Sequence, residues 1–255
     1  IGIDKDKSTE KKILKCNILD KKKLDKIFRR EKPEVVIHLA AQSLVDETIN
    51  KKKYYLNNID ATKKLIKCMK KNNINNLIFS STAAVYNPKN NKISENDIIK
   101  TISTYARTKF KSERLIKKSK LNSIILRFFN VCSSLTINDK IIGELHDPET
   151  HLIPSVVYKN LYNKKVYLYG DNYNTYDGTC IRDYIHVMDL ADGHIAALNF
   201  LYENQSQILN LNLGTGVGTS VLELIEIYQK VNECEIPYEI AERRAGDVAY
   251  IVANN

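Results

Sequence analysis

The segment NLIFSSTAAVY, residues 76–86, begins as an apolar run and ends in small and polar side chains. An apolar run of this length predicts a buried strand. Strand-like runs also stand at 34–41 (EVVIHLAA) and 123–131 (SIILRFFNV), and amphipathic stretches at 53–71 and 105–118 separate the three. Strands that alternate with helices predict right-handed βαβ units and a parallel sheet covered on both faces. We therefore expect a doubly wound, Rossmann-like α/β fold.

The last third of the chain is less regular. Helices are predicted at 153–163, at 189–203 and from about Ser220, with strands at 166–170 and 207–214. No repeat or flexible linker separates this part from the rest, so these segments predict a smaller mixed α/β domain.

Composition excludes several classes of protein. The formal net charge of +9 comes almost entirely from lysine spread along the chain, whereas a nucleic-acid surface more often shows arginine and clustered aromatic residues. The five cysteines are far apart, which excludes short-spaced zinc patterns. No apolar run has the 18 or so residues of a membrane helix. We expect a cytoplasmic protein with reduced thiols, no metal, no nucleic-acid partner and no membrane partner.

One tyrosine and one lysine stand four positions apart in STYARTK (103–109), behind a helix N-cap at Ser103 or Thr104. The chain has 15 Tyr and 39 Lys and Arg, so about two Tyr-x-x-x-Lys spacings are expected by chance. The surrounding sequence must therefore decide whether Tyr105 and Lys109 take part in a reaction. In doubly wound sheets, ligands bind outside the carboxyl ends of the strands, where this chain has LAAQS (39–43), STAAVY (81–86) and FNVCSS (129–134).

Five motifs occur in order and spacing that resemble the extended short-chain dehydrogenase/reductase family. They are HLAA (38–41), NN (57–58), FSSTAAVY (79–86), YARTK (105–109) and LRFFNV (126–131). The second half resembles the members of this family that epimerise UDP-hexoses at C4, in DPETHLIP (147–154), DGTCIRDYIHVMDLADGHIAAL (177–198), NLGTGVGTSVLEL (212–224) and RRAGD (243–247).

The resemblance implies a mechanism. Tyr105 is the base that removes the proton from the sugar 4-hydroxyl, Thr82 orients that hydroxyl, and hydride passes between C4 and NAD through a 4-keto sugar. A tyrosine hydroxyl titrates near pH 10 in model peptides, so we expect the positive charges of Lys109 and of the nicotinamide to lower the pKa of Tyr105.

Other site residues are implied in the same way. The cofactor contacts are Asn17, Ile18, Leu39, Ala40, Ala41, Gln42, Ser43, Asn57, Thr82, Tyr105, Lys109 and Phe129. The UDP-sugar contacts are Thr82, Tyr105, Asn130, His151, Leu152, Tyr167, Tyr169, Arg182, Arg244 and Asp247, with Ile251 where side-chain size gates the sugar 2-substituent. The resemblance also implies a homodimer, an NAD-binding domain at 1–130 with a return segment near 184–214, and a UDP-sugar-binding domain at 131–255.

Several assignments have structural alternatives. Asn17 and Ile18 can form an ordinary turn. Tyr167 and Tyr169 alternate as in an edge strand, so they can serve packing instead of contacting uracil. Arg182 can pair with Asp183, and Ile251 can belong to the core.

The sequence departs from the family in its opening. The first strand, the glycine-rich turn and the helix that receives the pyrophosphate have no counterpart in it, so we expect a sheet that lacks its first βα unit. We also expect the 255 residues to be part of a longer protein and, taken alone, to bind NAD weakly. Ser43 stands where related epimerases usually carry a lysine, Asn17 where they carry an aspartate, and CSS (132–134) where they carry a glycine-containing turn.

Two other functions remain open at this stage. Another epimerase or a dehydratase of the same family would keep the fold, but dehydratases resemble TDEVY after the strand, and here Thr82 is followed by Ala83 and Ala84. The second alternative is a non-catalytic remnant that binds nucleotide-sugar weakly.

Overall fold

The computed structural model describes residues 1–6, 12–43, 50–144, 149, 151–244 and 246–255. The strands in chain order are β1 (Gly2–Asp4), β2 (Ile13–Lys15), β3 (Val35–His38), β4 (Asn76–Thr82), β5 (Asn122–Phe128), β6 (Asn130–Cys132), β7 (Leu135–Ile137), β8 (Lys140–Ile142), β9 (Val166–Tyr169), β10 (Ile181–His186), β11 (Ile208–Leu213), β12 (Gly218–Ser220), β13 (Tyr238–Ala241) and β14 (Tyr250–Ile251). The helices are α1 (Lys21–Glu31), α2 (Lys51–Tyr54), α3 (Ala61–Lys71), α4 (Thr104–Ser119), α5 (Leu152–Leu161), α6 (Val187–Glu203) and α7 (Val221–Asn232), with a π-helical turn at Tyr55–Asp60 and a 3₁₀ turn at Ala83–Val85.

The chain divides into two compact units, of which the first comprises residues 1–85, 99–127 and 194–211. Its main sheet has the strand order β11-β5-β4-β3, and β3 and β4 run parallel. β1 and β2 form a separate parallel pair. The Rossmann-like α/β class with a parallel sheet is therefore confirmed.

Burial in the first unit follows from this topology. β4 and β5 are buried along nearly their whole length, as expected for strands covered on both faces. Helices α1, α3 and α4 cover the core through Leu24, Met69 and Ile116. At the free edge, Ile37 of β3 is 43% exposed and Leu39 beyond it is 61% exposed.

The second unit comprises residues 86–98, 128–193 and 212–255. Its central strand, β10, pairs with β6 and β14 in parallel and with β12 antiparallel. A parallel pair, β9 and β13, packs with α5 and α7 through a small core that includes Val156, Val166, Leu168 and Ile225. The mixed α/β character predicted for this part is confirmed, whereas the antiparallel hairpin β7–β8 and strand β13 were not predicted.

The two units differ in detail from the domain limits expected from sequence. The first unit's main run ends at residue 127, its return segment is 194–211, and residues 86–98 lie with the second unit. Among the helices of the described ranges, none combines the length and apolar character that a membrane crossing requires.

Candidate active site

Helix α4 places Tyr105 and Lys109 in its first two turns. Ser103 is the N-cap, with extended backbone, and its side chain accepts a hydrogen bond of 3.1 Å from the amide of Ala106. A side-chain oxygen at this position satisfies one of the free amides of the first turn. Since residues i and i+4 lie on the same helix face, the cap fixes which face carries Tyr105 and Lys109.

The Tyr105 side chain is hydrogen-bonded to the side chain of Thr82, the last residue of β4. Thr82 Oγ1 also accepts a hydrogen bond of 3.2 Å from the amide of Ala84, in the 3₁₀ turn after the strand. Burial raises the pKa of Tyr105 to about 12, against the smaller opposing effect of the Thr82 hydrogen bond, and Tyr54 adds to the increase. Burial disfavours the charged form of any phenol.

Lys109 is almost fully buried, with 4% of its surface exposed. Its Nζ donates a hydrogen bond of 2.6 Å to the carbonyl oxygen of Ser80 in β4 and lies 4.9 Å from the centre of the Phe79 ring. Burial lowers the pKa of Lys109 to about 8, and the carboxylate of Glu113 acts in the opposite direction. The ammonium group is thus directed at strand β4.

One expectation needs correction at this point. We expected the Lys109 charge to lower the pKa of Tyr105, but in this structure burial dominates and raises it. Burial has the largest effect on the phenol, and the Lys109 ammonium group is engaged by the Ser80 carbonyl at 2.6 Å.

The loop after β3 carries five of the predicted cofactor contacts, Leu39 to Ser43. Leu39, Ala40 and Ser43 are exposed, while Ala41 and Gln42 are half-buried. The loop is fixed by Asn58, whose Oδ1 accepts a hydrogen bond of 2.7 Å from the Gln42 amide and whose Nδ2 donates to the Gln42 carbonyl at 3.3 Å.

Asn58 was not predicted as a site residue, although it belongs to the pair NN. Asn57 is half-buried, whereas Asn58 is 2% exposed and also donates a hydrogen bond of 2.9 Å to Thr108 Oγ1. A cue was available in the sequence, because Asn58 stands three and seven positions before Ala61 and Leu65 and so falls on the apolar face of the predicted helix.

The remaining cofactor residues lie apart from this loop. Asn17 is exposed, and its Oδ1 accepts a hydrogen bond of 2.9 Å from the Leu19 amide, which is the turn considered as its alternative role. Ile18 is half-buried in the same turn. Phe129 belongs to the second unit, is 6% exposed, and pairs through its amide with the Leu213 carbonyl at 2.9 Å.

The residues at the carboxyl ends of β3 and β4 fit a dinucleotide. The buried Ser80 Oγ has no hydrogen-bond partner among the described residues, and an ammonium group has three donors, of which Lys109 uses one on Ser80. Beside them, the loop at 39–43 exposes backbone and small side chains. Unused donors next to exposed backbone suit a ribose diol and a diphosphate, and this edge of an open α/β sheet is where dinucleotides bind.

A cavity of about 830 Å³ lies wholly within the second unit. Its lining includes eight of the predicted substrate residues, namely Asn130, His151, Leu152, Tyr167, Tyr169, Arg182, Arg244 and Asp247. The volume is within the range of ligand pockets. The predicted set is therefore brought together here, apart from Thr82 and Tyr105 in the first unit and Ile251, which is not part of the lining.

The cavity lining carries two arginines, together with Lys159 and three carboxylates, Glu144, Glu149 and Asp247. The guanidinium of Arg244 stacks 3.8 Å from the centre of the Tyr169 ring. Arg182 Nη1 donates to the carbonyls of Ile181 at 3.0 Å and Val248 at 2.8 Å, and its Nη2 lies 3.6 Å from Asp247. Arg182 thus pairs with Asp247 and not with Asp183, the partner considered from sequence. Ile251 pairs with Arg182 across β10 and β14.

Other lining residues were not predicted. Tyr184 follows Asp183 in β10, and burial raises its pKa to about 12.

A histidine and two carboxylates lie close together in the cavity lining. His151 Nδ1 lies 2.9 Å from Glu149 and 3.2 Å from Glu144. These three groups could hold a metal by distance alone, but they already bond to one another and stand at the surface, so we assign no metal to them.

A parallel α/β sheet with a tyrosine and a lysine beside its carboxyl edge, joined to a unit with an arginine-lined cavity, defines a nucleotide-binding enzyme fold. The family model described as "NAD dependent epimerase/dehydratase family" matches residues 1–214. The UDP-glucose 4-epimerase of Rhizobium meliloti is 39% identical over 248 residues, which cover 94% of this chain and 75% of that protein.

Solved structures agree with this match. The UDP-glucose 4-epimerase of Brucella ovis in complex with NAD has a TM-score of 0.88 at 37% identity, covering 95% of this chain and 76% of that one. The UDP-glucose 4-epimerase of Bifidobacterium longum in complex with NAD+ and UDP has a TM-score of 0.85 at 35% identity, covering 95% and 74%. The chain belongs to the NAD dependent epimerase/dehydratase family. Within it, the chain is similar to the UDP-glucose 4-epimerases.

Proposed function

We propose that this chain is an isomerase that epimerises a UDP-hexose at C4 with NAD, interconverting UDP-galactose and UDP-glucose through a 4-keto sugar. The observation that carries the proposal is the Thr82–Tyr105 hydrogen bond beside buried Lys109. UDP-glucose 4-epimerases at 37–39% identity support the substrate class.

Tyr105 accepts the proton of the sugar 4-hydroxyl. Thr82 contacts the Tyr105 side chain directly and orients the sugar hydroxyl toward it. Because burial holds the pKa of Tyr105 at about 12 in the chain alone, the phenol needs a nearby positive charge to act as a base at neutral pH.

Lys109 and the loop at 39–43 hold the cofactor, with Asn57, Asn17, Ile18 and Phe129 as further contacts. These residues would hold NAD, which would supply the hydride acceptor and donor for C4. The three donors of Lys109 suit two ribose hydroxyls in addition to the Ser80 carbonyl.

The second unit binds the UDP part of the substrate. Arg244 and Arg182 bind the diphosphate, because a planar guanidinium forms paired, charge-assisted hydrogen bonds with phosphate. Asn130, Asp247 and the remaining lining residues that were predicted, His151, Leu152, Tyr167 and Tyr169, complete the contacts, and Ile251 gates the sugar 2-substituent. A homodimer, implied by the family resemblance, and a cytoplasmic location, expected from the composition, stay predictions.

The first prediction concerns the reaction itself. In the enzyme that carries this sequence, supplied with NAD, UDP-galactose should convert to UDP-glucose. Tyr105→Phe should lower kcat by at least about 10², while UDP binding measured by calorimetry stays unchanged. Tyr162→Phe, an exposed tyrosine of the second unit, is the control.

Three results separate the alternatives. Release of a 4-keto product that has lost water would identify a dehydratase. Binding of UDP-sugar and NAD without conversion would mean a non-catalytic binder. Loss of UDP binding in Tyr105→Phe would show that Tyr105 is structural.

A further inference from the structure

A fully buried ion pair lies beside the catalytic residues and has no part in the reaction proposed above. Glu113 in α4 is 0% exposed and Arg127 in β5 is 2% exposed. Arg127 donates from Nε to Glu113 Oε1 at 3.1 Å and from Nη2 to Oε2 at 2.7 Å. Both carboxylate oxygens are therefore engaged in a paired, charge-assisted contact.

The same carboxylate reaches the strand that carries Thr82. Ser81 Oγ donates a hydrogen bond of 2.5 Å to Glu113 Oε1. One turn earlier on the same buried face of α4, Lys109 donates to the carbonyl of Ser80. Two successive turns of α4 thus hold two successive residues of β4, and Thr82 is the next residue of that strand.

Burying charged groups of this kind costs desolvation free energy. Replacing a buried ion pair with apolar residues of similar volume is often neutral or stabilising. The charge of Glu113 therefore suggests a task beyond packing. The Lys109 ammonium lies one helical turn away on the same buried face, where burial lowers its pKa and Glu113 acts in the opposite direction.

We propose that Glu113 is a positioning residue for the epimerisation proposed above, on which this inference rests. Its carboxylate, itself fixed by Arg127 and Ser81, keeps Lys109 charged and directed at the edge of β4 beside Thr82. Glu113 touches neither substrate nor cofactor in this role and acts through Lys109.

The charges around Lys109 leave this task to Glu113. His38 in β3 faces Lys109, but burial lowers the pKa of His38 to about 3, so it is neutral. Tyr105 in α4, whose pKa burial raises to about 12, is a neutral phenol at pH 7 to 8. Arg127 is a cation and cannot favour a second one. Glu113 is the group that raises the pKa of Lys109 against burial.

The test removes the negative charge of Glu113 alone. Glu113→Gln does this and keeps a side-chain acceptor for Ser81 and Arg127. In ligand-free protein, an NMR titration of labelled lysine side chains should show the pKa of Lys109 lowered by about one unit. Lys109→Gln identifies the resonance. Lys109 would then lose its proton at lower pH. In the NAD-loaded enzyme, the alkaline limb of the plot of kcat against pH should therefore move to lower pH by the same amount.

Two further variants act as controls. Glu113→Asp retains the carboxylate and should keep Lys109 near its original titration. The double variant D25N/R29Q removes the ion pair between α1 residues Asp25 and Arg29 and should leave the titration unchanged. An unchanged Lys109 titration in Glu113→Gln would overturn the inference. Because that readout needs no turnover, it is independent of whether the unmodified enzyme converts UDP-galactose, which tests the proposed function itself.

Discussion

Burial decides the protonation state of the central residues at the scale of single side chains. It raises the pKa of Tyr105 to about 12 and lowers that of Lys109 to about 8. Without a further positive charge, the phenol therefore stays protonated at neutral pH. Under the proposed function, Tyr105 acts as a base only when a cation adjoins it, so its proposed role depends on the oxidised cofactor.

Two neighbouring arginines of the second unit differ in what they can bind. Arg243 stacks 4.0 Å from the centre of the Tyr173 ring, donates from Nε to Asn172 Oδ1 at 2.6 Å and also donates to the Asn172 carbonyl. Arg244 stacks on Tyr169 in the cavity lining. Stacking orients a guanidinium but leaves its edge donors available.

Arg244→Ala should therefore weaken UDP binding about tenfold to hundredfold, through the lost charge-assisted hydrogen bonds. Calorimetry with UDP measures this, and the weakening should diminish at high salt as the charge is screened. Arg243→Ala, outside the cavity lining, is the matched control and should change the affinity by less than about threefold. Equal losses in both variants would contradict the assignment of Arg244.

At the scale of elements, the π-helical turn at Tyr55–Asp60 contributes Asn58, which is hydrogen-bonded to both the loop after β3 and helix α4. It joins α2 to α3 without ending the helix and turns Asn58 inward, toward Gln42 and Thr108. π-helical turns are often found at functional sites. Here the turn fixes the loop on which the cofactor contacts are proposed.

Asn58→Ala should lower the free energy of unfolding by about 2 kcal/mol, because it leaves the Gln42 amide and carbonyl and the Thr108 hydroxyl without their partner. Asn57→Ala, half-buried one position earlier, should change it by less than about 0.5 kcal/mol. Urea denaturation without nucleotide measures both. If Asn57→Ala lowered the free energy of unfolding as much as Asn58→Ala, the hydrogen bonds of Asn58 to the loop and to Thr108 would not explain the effect.

Elements with a strong hydrophobic pattern were predictable, and those set by distant contacts were not. The apolar runs of β4 and β5 and the amphipathic pattern of α4 could be recognised in the sequence, because these elements are buried on the faces that carry the apolar residues. The Ser103 N-cap could also be recognised from its residue type. The hairpin β7–β8 is exposed at five of its six strand positions, so its sequence carries no core pattern. The direction of the Lys109 side chain depends on Ser80, 29 positions away.

At the scale of the whole molecule, the chain divides its chemistry between two units. The first contains Thr82, Tyr105 and Lys109, and the second contains the arginine-lined cavity. The passage of residues 86–98 into the second unit was not foreseen from the sequence. The composition of residues 86–98 does not show which unit they belong to, because their place is set by distant contacts such as the pairing of Ile93 with Ala253.

The most direct test of the account is the ionisation of the Tyr105 phenol, measured as a phenolate difference spectrum between the unmodified protein and Tyr105→Phe during a pH titration. Without nucleotide, Tyr105 should ionise near pH 12, as burial dictates. With NAD bound, the added positive charge should lower its pKa by about two units or more. Ionisation that stays near pH 12 with NAD bound would contradict the assignment of Tyr105 as the base.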